Sequence, residues 1–311
     1  MAESFAPVRT RPLVNRLALV GMGLIGSSLA RAARELNLAA EIAAADRDAA
    51  VTDRVRVLGL ADLATTSAAE ACADADLIIL CTPVGTCAAV AEEIAPVLKR
   101  GSILSDVGSV KGVIMDQVGP LVPAGVHFIP AHPVAGTEHS GPDAGFSSLF
   151  LNRWCILTPP DGADPQAVAT LRAFWEGMGA IVEFMSAPHH DMVLAITSHL
   201  PHLIAYNIVG TAHDLEAVTQ SEVIKFSAGG FRDFTRIAAS DPTMWRDVFL
   251  YNKDAVLEML GRFSEDLSVL TRAIRFGDGE TLHRHFTRTR AIRRGIISLG
   301  QDKPETEKLK K

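Results

Sequence analysis

The feature that most constrains the fold is a glycine-rich segment, Gly21–Gly26, with the sequence GMGLIG. It directly follows an apolar run at Arg16–Val20 and opens a helical pattern at Ser27–Leu36. A G-x-G-x-x-G string is weak by itself, but a strand before it and a helix after it are the context that phosphate binding requires. The segment therefore predicts the first βαβ unit of a dinucleotide-binding domain.

Each residue of this turn has an expected task. Gly21 permits the tight turn, Gly23 lets the backbone approach a pyrophosphate, and Gly26 lets the helix pack against the strand. The next helix begins with free N–H groups and the positive end of its dipole, both of which favour an anion. We expect Leu24 and Ile25, which lie inside the turn, to contact the cofactor as well.

An acidic residue follows at the expected distance. Asp46 lies twenty residues after Gly26, at the end of the second apolar run, where a carboxylate can accept hydrogen bonds from adenosine ribose hydroxyls. A carboxylate there repels a 2′-phosphate, so NAD is expected rather than NADP, although the adjacent Arg47 leaves NADP open. Thr82 and Pro83 end another strand and are expected to line the same cleft.

Apolar runs alternate with helical segments along the first half of the chain, which favours an α/β, doubly wound and mainly parallel sheet of the Rossmann type. The expected strands are Arg16–Val20, Glu41–Asp46, Asp76–Pro83, Ser102–Ser109, His127–Pro133, Arg153–Pro159 and Ala180–Met185. After Pro188 the apolar residues recur at helical spacing. We therefore expect a dinucleotide-binding domain at 1–187 and an all-helical domain for substrate binding and dimerisation at 188–311.

Composition excludes several classes of function. With a net charge of −6 and no concentrated basic face, a nucleic-acid partner is not expected. The N-terminus lacks the apolar core of a secretory signal, and no uninterrupted apolar run reaches about 20 residues, so we expect a cytoplasmic protein without a membrane span. The four cysteines form no C-x-x-C pair and are expected to be reduced thiols.

Polar residues concentrate in a few segments outside the glycine turn. They are Ser105–Lys111 (SDVGSVK), Ala131–Gly141 (AHPVAGTEHSG), Ser198–His202 (SHLPH) and Gly229–Asp247 (GGFRDFTRIAASDPTMWRD). In this combination the chain resembles the prephenate/arogenate (cyclohexadienyl) dehydrogenase family, over roughly residues 16–298. The resemblance implies NAD-dependent oxidative decarboxylation of a cyclohexadienyl acid on the route to tyrosine.

The resemblance also assigns roles to residues. His132 is implied as the base that withdraws the proton of the ring hydroxyl, a task that suits a neutral imidazole near pH 7. Ser109 is implied to help position that hydroxyl. Arg236 is implied to bind a substrate carboxylate with its guanidinium fork, and His202 to meet the side-chain end of the substrate. It also implies Thr137 and Trp245 as pocket residues, and Glu138, Asp191 and Asp233 as residues that order or gate the pocket through ion pairs.

Several of these residues also have simpler structural explanations. Ser109 could cap a helix starting at Val110, Trp245 could be a core residue, and Asp233 could only orient a neighbouring arginine. The histidines His189, His190, His199 and His202 could suggest a metal, but nothing resembles H-E-x-x-H, so no metal is expected.

Two other functions stay open from the sequence alone. A β-hydroxyacid or 6-phosphogluconate-type dehydrogenase shares the two-domain plan and would use a lysine, for which Lys225 is the nearest candidate. A non-catalytic NAD sensor would keep the fold without the chemistry. The helical half is apolar enough to suggest a homodimer, as the resemblance also implies.

Overall fold

The computed structural model describes residues 8–219 and 228–298. Contacts along the chain separate it into one compact unit at Met1–Val256 and a second at Leu257–Lys311. The first unit contains a six-stranded sheet in which every pairing is parallel. Its strands are β1 (Val14–Val20), β2 (Ala39–Ala45), β3 (Leu63–Thr65), β4 (Leu77–Leu80), β5 (Ile103–Asp106) and β6 (His127–Phe128).

The strand order is β3-β2-β1-β4-β5-β6, so the direction of winding reverses between β1 and β4. In a doubly wound sheet, ligands bind at the carboxyl ends of the strands beside this reversal. The connecting helices are α1 (Leu24–Glu35), α2 (Ala49–Val57), α3 (Ala68–Cys72), α4 (Cys87–Ile94) and α5 (Gly112–Val118). The predicted Rossmann-type fold is therefore confirmed.

The strands are mostly apolar because both faces of the sheet are covered, although β5 also carries the buried Ser105 and Asp106. On β1, Leu17 and Leu19 face one buried cluster, and Ala18 and Val20 face the other. The short strand β3 was not predicted, since only three residues pair there and its sequence carries no apolar run.

The expected strand at 127–133 is wrong as a single element. His127–Phe128 forms β6 in the parallel sheet, whereas β7 (Ala131–Pro133) pairs antiparallel with β8 (Trp154–Leu157). The β5 ladder ends where Ile129 N–H donates to the Leu104 carbonyl, and the following Pro130 has no N–H with which to continue it. β8 also pairs with β9 (Ile181–Phe184), so the last two expected strands belong to a separate three-stranded sheet. Helix α6 (Pro165–Gly177) connects β8 to β9.

From residue 187 the described chain is helical. Helix α7 (Ala187–Leu194) continues through a π-helical turn at Ala195–His199 into α8 (Leu200–Thr219). A π turn accommodates Pro201, whose missing N–H would interrupt a regular helix. The later helices are α9 (Gly229–Thr235), α10 (Pro242–Tyr251), α11 (Lys253–Arg275) and α12 (Gly279–Ser298).

By length and composition, the helical stretch Ala187–Leu215 is apolar enough to cross a membrane. The expectation that no segment reaches that length was therefore wrong, because it considered only uninterrupted apolar runs. The stretch includes His190, Asp191 and His199, which are buried and hydrogen-bonded to other side chains. Its most apolar 18-residue window is 28 % buried within the chain.

Candidate active site

The glycine turn lies at the reversal of strand order and meets the steric demands predicted for it. Gly21 has φ +97°, and a Cβ there would lie 2.8 Å from the backbone of Cys81. A Cβ on Gly26 would lie 2.0 Å from the Gly21 carbonyl oxygen. A Cβ on Gly23, in contrast, would meet nothing within 4 Å. Gly21 and Gly26 are thus required by the protein's own backbone, whereas Gly23 borders open space on the side where a Cβ would lie.

Asp46 is half-buried at the end of β2 and braces this turn. Its Oδ2 accepts a hydrogen bond from Met22 N–H at 2.9 Å, and its Oδ1 accepts one from Asp48 N–H at 3.0 Å. Each oxygen keeps a lone pair with which a ribose hydroxyl can bond. Arg47 is exposed beside it.

Thr82 and Pro83 lie at the carboxyl end of β4, next to Gly21. The backbone nitrogen of Thr82 lies 3.0 Å from the position of a Cβ on Gly21, and the Pro83 carbonyl accepts from Thr86 N–H. Helix α1 starts at Leu24 and Ile25 with no side-chain cap, so its first N–H groups are available to an anion.

His132 lies on β7 and is 6 % exposed. Its Nδ1 lies 2.8 Å from Nε2 of His190, and Nδ1 of His190 lies 2.8 Å from Oδ1 of Asp191. His190 and Asp191 are adjacent on α7 and both are buried. The three side chains form a continuous hydrogen-bonded chain, which we call the His–His–Asp chain.

Asp191 ties this chain to α5. Its Oδ1 accepts from Lys111 N–H at 2.7 Å and its Oδ2 from Gly112 N–H at 2.8 Å. Helix α5 begins at Gly112, so Ser109 does not cap it as suggested, and Asp191 supplies the capping acceptor from another element. Asp191 was expected to order the pocket through ion pairs with cationic side chains. The structure instead places it on backbone N–H groups and on His190.

A buried ion pair supports the strand that carries His132. Lys111 and Asp106 are fully buried and joined through Nζ and Oδ2. Lys111 Nζ also donates to the Ala131 carbonyl at 2.7 Å, and Asp106 Oδ1 accepts from Ala131 N–H at 3.2 Å. Both backbone groups of the residue before His132 are thereby held. Lys111 and Asp106 were not predicted as site residues, although the Ser105–Lys111 segment that contains them was singled out.

The surroundings keep His132 neutral. Burial lowers the pKa of His132 well below its ordinary value, and the nearby His190, Lys111 and His199 lower it further. Burial also raises the pKa of Asp191, but the hydrogen bonds from His190, Lys111 and Gly112 outweigh that effect, so the pKa lies below its ordinary value. At neutral pH the His–His–Asp chain therefore consists of the Asp191 carboxylate and the neutral imidazoles of His132 and His190.

A second group of side chains surrounds Trp245 on α10. The His202 ring stacks on the Trp245 ring with centroids 3.7 Å apart, and His202 Nδ1 lies 2.8 Å from the Ser198 carbonyl oxygen. His199 is fully buried, bonded through Nδ1 to Asn252 at 3.0 Å, and meets the Trp245 ring edge to face. Trp245 is 6 % exposed and thus joins core and site.

Arg236 and Glu138 form an ion pair, with Arg236 Nη1 3.3 Å from Glu138 Oε2. Both side chains are substantially exposed, at 61 % and 34 %. Burial lowers the pKa of His202, and the positive charge of Arg236 lowers it further.

Two other expected pocket residues have local partners. Asp233 is exposed and pairs with the adjacent Arg232 at 3.1 Å. Thr137 is half-buried and its Oγ1 accepts from His139 N–H at 3.2 Å. Ser109 is half-buried in the loop between β5 and α5, near His199.

Comparison with known protein families identifies the family to which the chain belongs. Residues 29–184 match the nucleotide-binding domain of prephenate dehydrogenase, and residues 186–288 match the prephenate dehydrogenase dimerization domain. The chain belongs to the prephenate dehydrogenase family. The predicted family membership is therefore confirmed over most of the sequence.

Individual relatives match this chain over most of their own lengths. A cyclohexadienyl dehydrogenase from Zymomonas mobilis is 42 % identical over 89 % of this chain and 94 % of its own. A prephenate dehydrogenase from Bacillus subtilis is 34 % identical over 90 % of this chain and 76 % of its own. The crystal structure of the Aquifex aeolicus prephenate dehydrogenase with hydroxyphenyl propionate and NAD⁺ superposes with a TM-score of 0.85 at 32 % identity, covering 91 % and 98 % of the two chains.

Within residues 8–219 and 228–298, no group of three or more His, Cys, Asp or Glu side chains is arranged to hold a metal ion. Lys225, the lysine considered for a β-hydroxyacid dehydrogenase, lies outside the described residues. The cysteines are free thiols, and burial raises the pKa of Cys72 to about 12.

Proposed function

We propose that this protein catalyses the NAD-dependent oxidative decarboxylation of prephenate to 4-hydroxyphenylpyruvate, of arogenate to tyrosine, or of both. The observation that carries the proposal is His132, a buried neutral imidazole whose Nδ1 is occupied by His190. Its one remaining ring nitrogen can act as a base. The family assignment and the Zymomonas relative, named for cyclohexadienyl substrates, support the same reaction class.

The cofactor in this proposal is NAD, held by Gly21–Gly26, by Asp46 and by the β4 end at Thr82 and Pro83. When bound, NAD supplies the acceptor for the hydride that leaves ring carbon C4. The fit is supported by the open space at Gly23 and by the uncapped start of α1. The Asp46 carboxylate disfavours a 2′-phosphate, so NAD is preferred over NADP.

The protein's own contribution is proton transfer and orientation. His132 accepts the proton of the C4 hydroxyl as the hydride leaves, carbon dioxide departs from C1, and the ring becomes aromatic. The proton then returns to the phenolate oxygen, so no net proton is released at this position. In this proposal Ser109 helps position the hydroxyl, Arg236 binds a substrate carboxylate, and His202 meets the side-chain end of the substrate. The residues that complete or support the pocket are Thr137, Glu138, Asp191, Asp233 and Trp245.

We also propose a domain boundary near Ala187 and a homodimer formed by the helical part. The two family matches meet between residues 184 and 186, and the second is a dimerization domain. Exposed apolar side chains on α11 and α12, including Leu257, Leu267 and Phe286, suit a covered surface. Sedimentation at micromolar concentration should give twice the chain mass, and a monomer would contradict the dimer. We further expect a cytoplasmic location.

The deciding experiment is steady-state kinetics with prephenate and arogenate, each with NAD and NADP. We expect turnover of at least one cyclohexadienyl acid with NAD, and a lower kcat/KM with NADP. Small β-hydroxyacids serve as the control substrates for the alternative dehydrogenase. Absence of turnover with both cyclohexadienyl acids would reject the proposal, and NAD binding without any turnover would favour the sensor.

A further inference from the structure

The base assigned above can work only in one of its two neutral forms. A neutral imidazole carries its proton on Nδ1 or on Nε2, and only the unprotonated nitrogen can accept a proton from substrate. The hydrogen-bond partner of the other nitrogen determines which form is present. In this protein that partner is His190, a residue to which neither the sequence motifs nor the family resemblance assigned a task.

The protons of the His–His–Asp chain can be assigned from its far end. Asp191 is an acceptor on both oxygens, taking bonds from Lys111 N–H, from Gly112 N–H and from His190 Nδ1. An ionised carboxylate has no proton to donate, so His190 must carry its proton on Nδ1. With His190 neutral, its Nε2 is a bare acceptor 2.8 Å from His132 Nδ1. His132 must then carry its proton on Nδ1, which leaves Nε2 unprotonated.

We propose that His190, anchored by Asp191, is a positioning residue that fixes His132 in the Nδ1–H tautomer and makes Nε2 the catalytic base. The inference rests on the proposed role of His132 in proton transfer. It deepens that role by naming what prepares the base.

The arrangement also stabilises the product of proton transfer. When His132 takes up the substrate proton, its Nδ1–H still points at the His190 lone pair, and the Asp191 carboxylate lies one residue further along the chain. This is the logic by which an aspartate orients and stabilises the histidine of a serine protease triad. Here an imidazole is interposed between the base and the carboxylate. The other charged or titratable groups around these rings are Lys111, Asp106 and His199.

The same geometry predicts how acid disables the site. If His190 gains a second proton, its Nε2–H faces His132 Nδ1, and His132 must turn its own proton toward Nε2. Burial lowers the pKa of His190 below its ordinary value, and the Asp191 hydrogen bond offsets this only in part. His190 therefore gains its second proton only at acid pH. Activity should therefore fall on the acid side as either ring is protonated.

The direct test is ¹⁵N NMR of the protein with labelled histidine side chains at neutral pH. The wild-type His132 should show a protonated Nδ1 and an unprotonated Nε2. His132→Asn identifies the signal by its disappearance. A wild-type spectrum in which His132 carries its proton on Nε2 would overturn the proposal without any further variant, and it would do so whether or not prephenate is the substrate.

Variants test the consequence for turnover. His190→Phe keeps ring volume but removes the acceptor, and we expect kcat to fall at least about tenfold and up to roughly 10⁴-fold, the loss a wrong tautomer causes in a serine protease. KM should change little. His190→Gln should recover part of kcat and the wild-type tautomer, because its amide oxygen can accept from His132 while its NH₂ donates to Asp191.

His127→Phe, on β6 at the edge of the parallel sheet, is the matched control and should keep wild-type kcat. If His190→Phe unfolds, the comparison of His190→Gln with the wild type still decides the tautomer by NMR. A His190→Phe variant with kcat within twofold of wild type and an unchanged His132 spectrum would refute the inference. Loss of folding stability alone would leave the spectrum of the folded fraction unchanged, which separates a structural role from a positioning one.

Discussion

Replacing Lys111 with methionine should destabilise the protein strongly, because it leaves the Asp106 carboxylate buried without its cation. Both side chains are at most 1 % exposed, so water cannot take the place of the ammonium group. Removing one member of a buried ion pair costs about 3–5 kcal/mol. For a domain of this size that corresponds to a fall in Tm on the order of 10 °C. Urea unfolding followed by circular dichroism measures the free energy directly.

Two further variants make the prediction specific. Lys99→Met removes the cation from a pair with Asp76 whose side chains are 38 % and 28 % exposed, and it should cost less than about 1 kcal/mol. The double variant Asp106→Asn/Lys111→Met removes the stranded charge yet keeps an acceptor for Gly108 N–H, which donates to Asp106 at 2.8 Å. It should recover most of the lost stability. The reasoning is refuted if Lys111→Met costs no more than Lys99→Met, or if the double variant is as unstable as Lys111→Met.

The single substitution Lys111→Met should also change the pH profile of turnover. The Lys111 cation is one of the groups that, after burial and His190, lower the pKa of His132. Without it the pKa of His132 should rise, so the acid limb of the kcat/KM profile should move to higher pH. An acid limb that stays in place would show that Lys111 does not act on the base.

Three other predictions follow from the geometry. Gly23→Ala should leave the Tm of the cofactor-free protein unchanged but raise KM for NAD. Gly26→Ala should lower both Tm and NAD affinity, because its Cβ would lie 2.0 Å from a backbone oxygen. Equal effects of the two variants in thermal shift assays with and without NAD would contradict this. Glu138→Gln should change stability by less than about 1 kcal/mol, since its pair with Arg236 is exposed, yet should alter KM for the substrate; an unchanged KM would remove this pair from the binding site. Burial lowers the pKa of His199 to about 4, so the unfolded chain binds a proton between pH 6.5 and 4 that the folded protein does not. The His199 contribution to stability should be full above pH 6.5 and fall by about 3 kcal/mol toward pH 4, in addition to the losses from His132, His190 and His202, whose pKa values are also lowered. His199→Gln should therefore show a smaller loss of stability between pH 6.5 and 4 than the wild type, as urea midpoints would show.

The sequence alone determined the nucleotide-binding half and supplied the candidate residues of the site. The glycine turn could be recognised because it imposes a local demand, such as the positive φ at Gly21, and Asp46 because its spacing from the glycines suits a ligand of the ribose hydroxyls. The family's polar segments marked His132, His202 and Arg236 in the same way, as residue types at fixed spacings.

Only the tertiary structure decided how those residues are supported. His132 meets His190 across 58 residues, and Asp191 caps α5 from 79 residues away. Neither contact has a local sequence signal, because it exists only once β7 leaves the parallel sheet and α7 packs against α5. Lys111 illustrates the physical reason. From sequence a lysine is expected at the surface, and only the fold buries this one beside a carboxylate that compensates its charge.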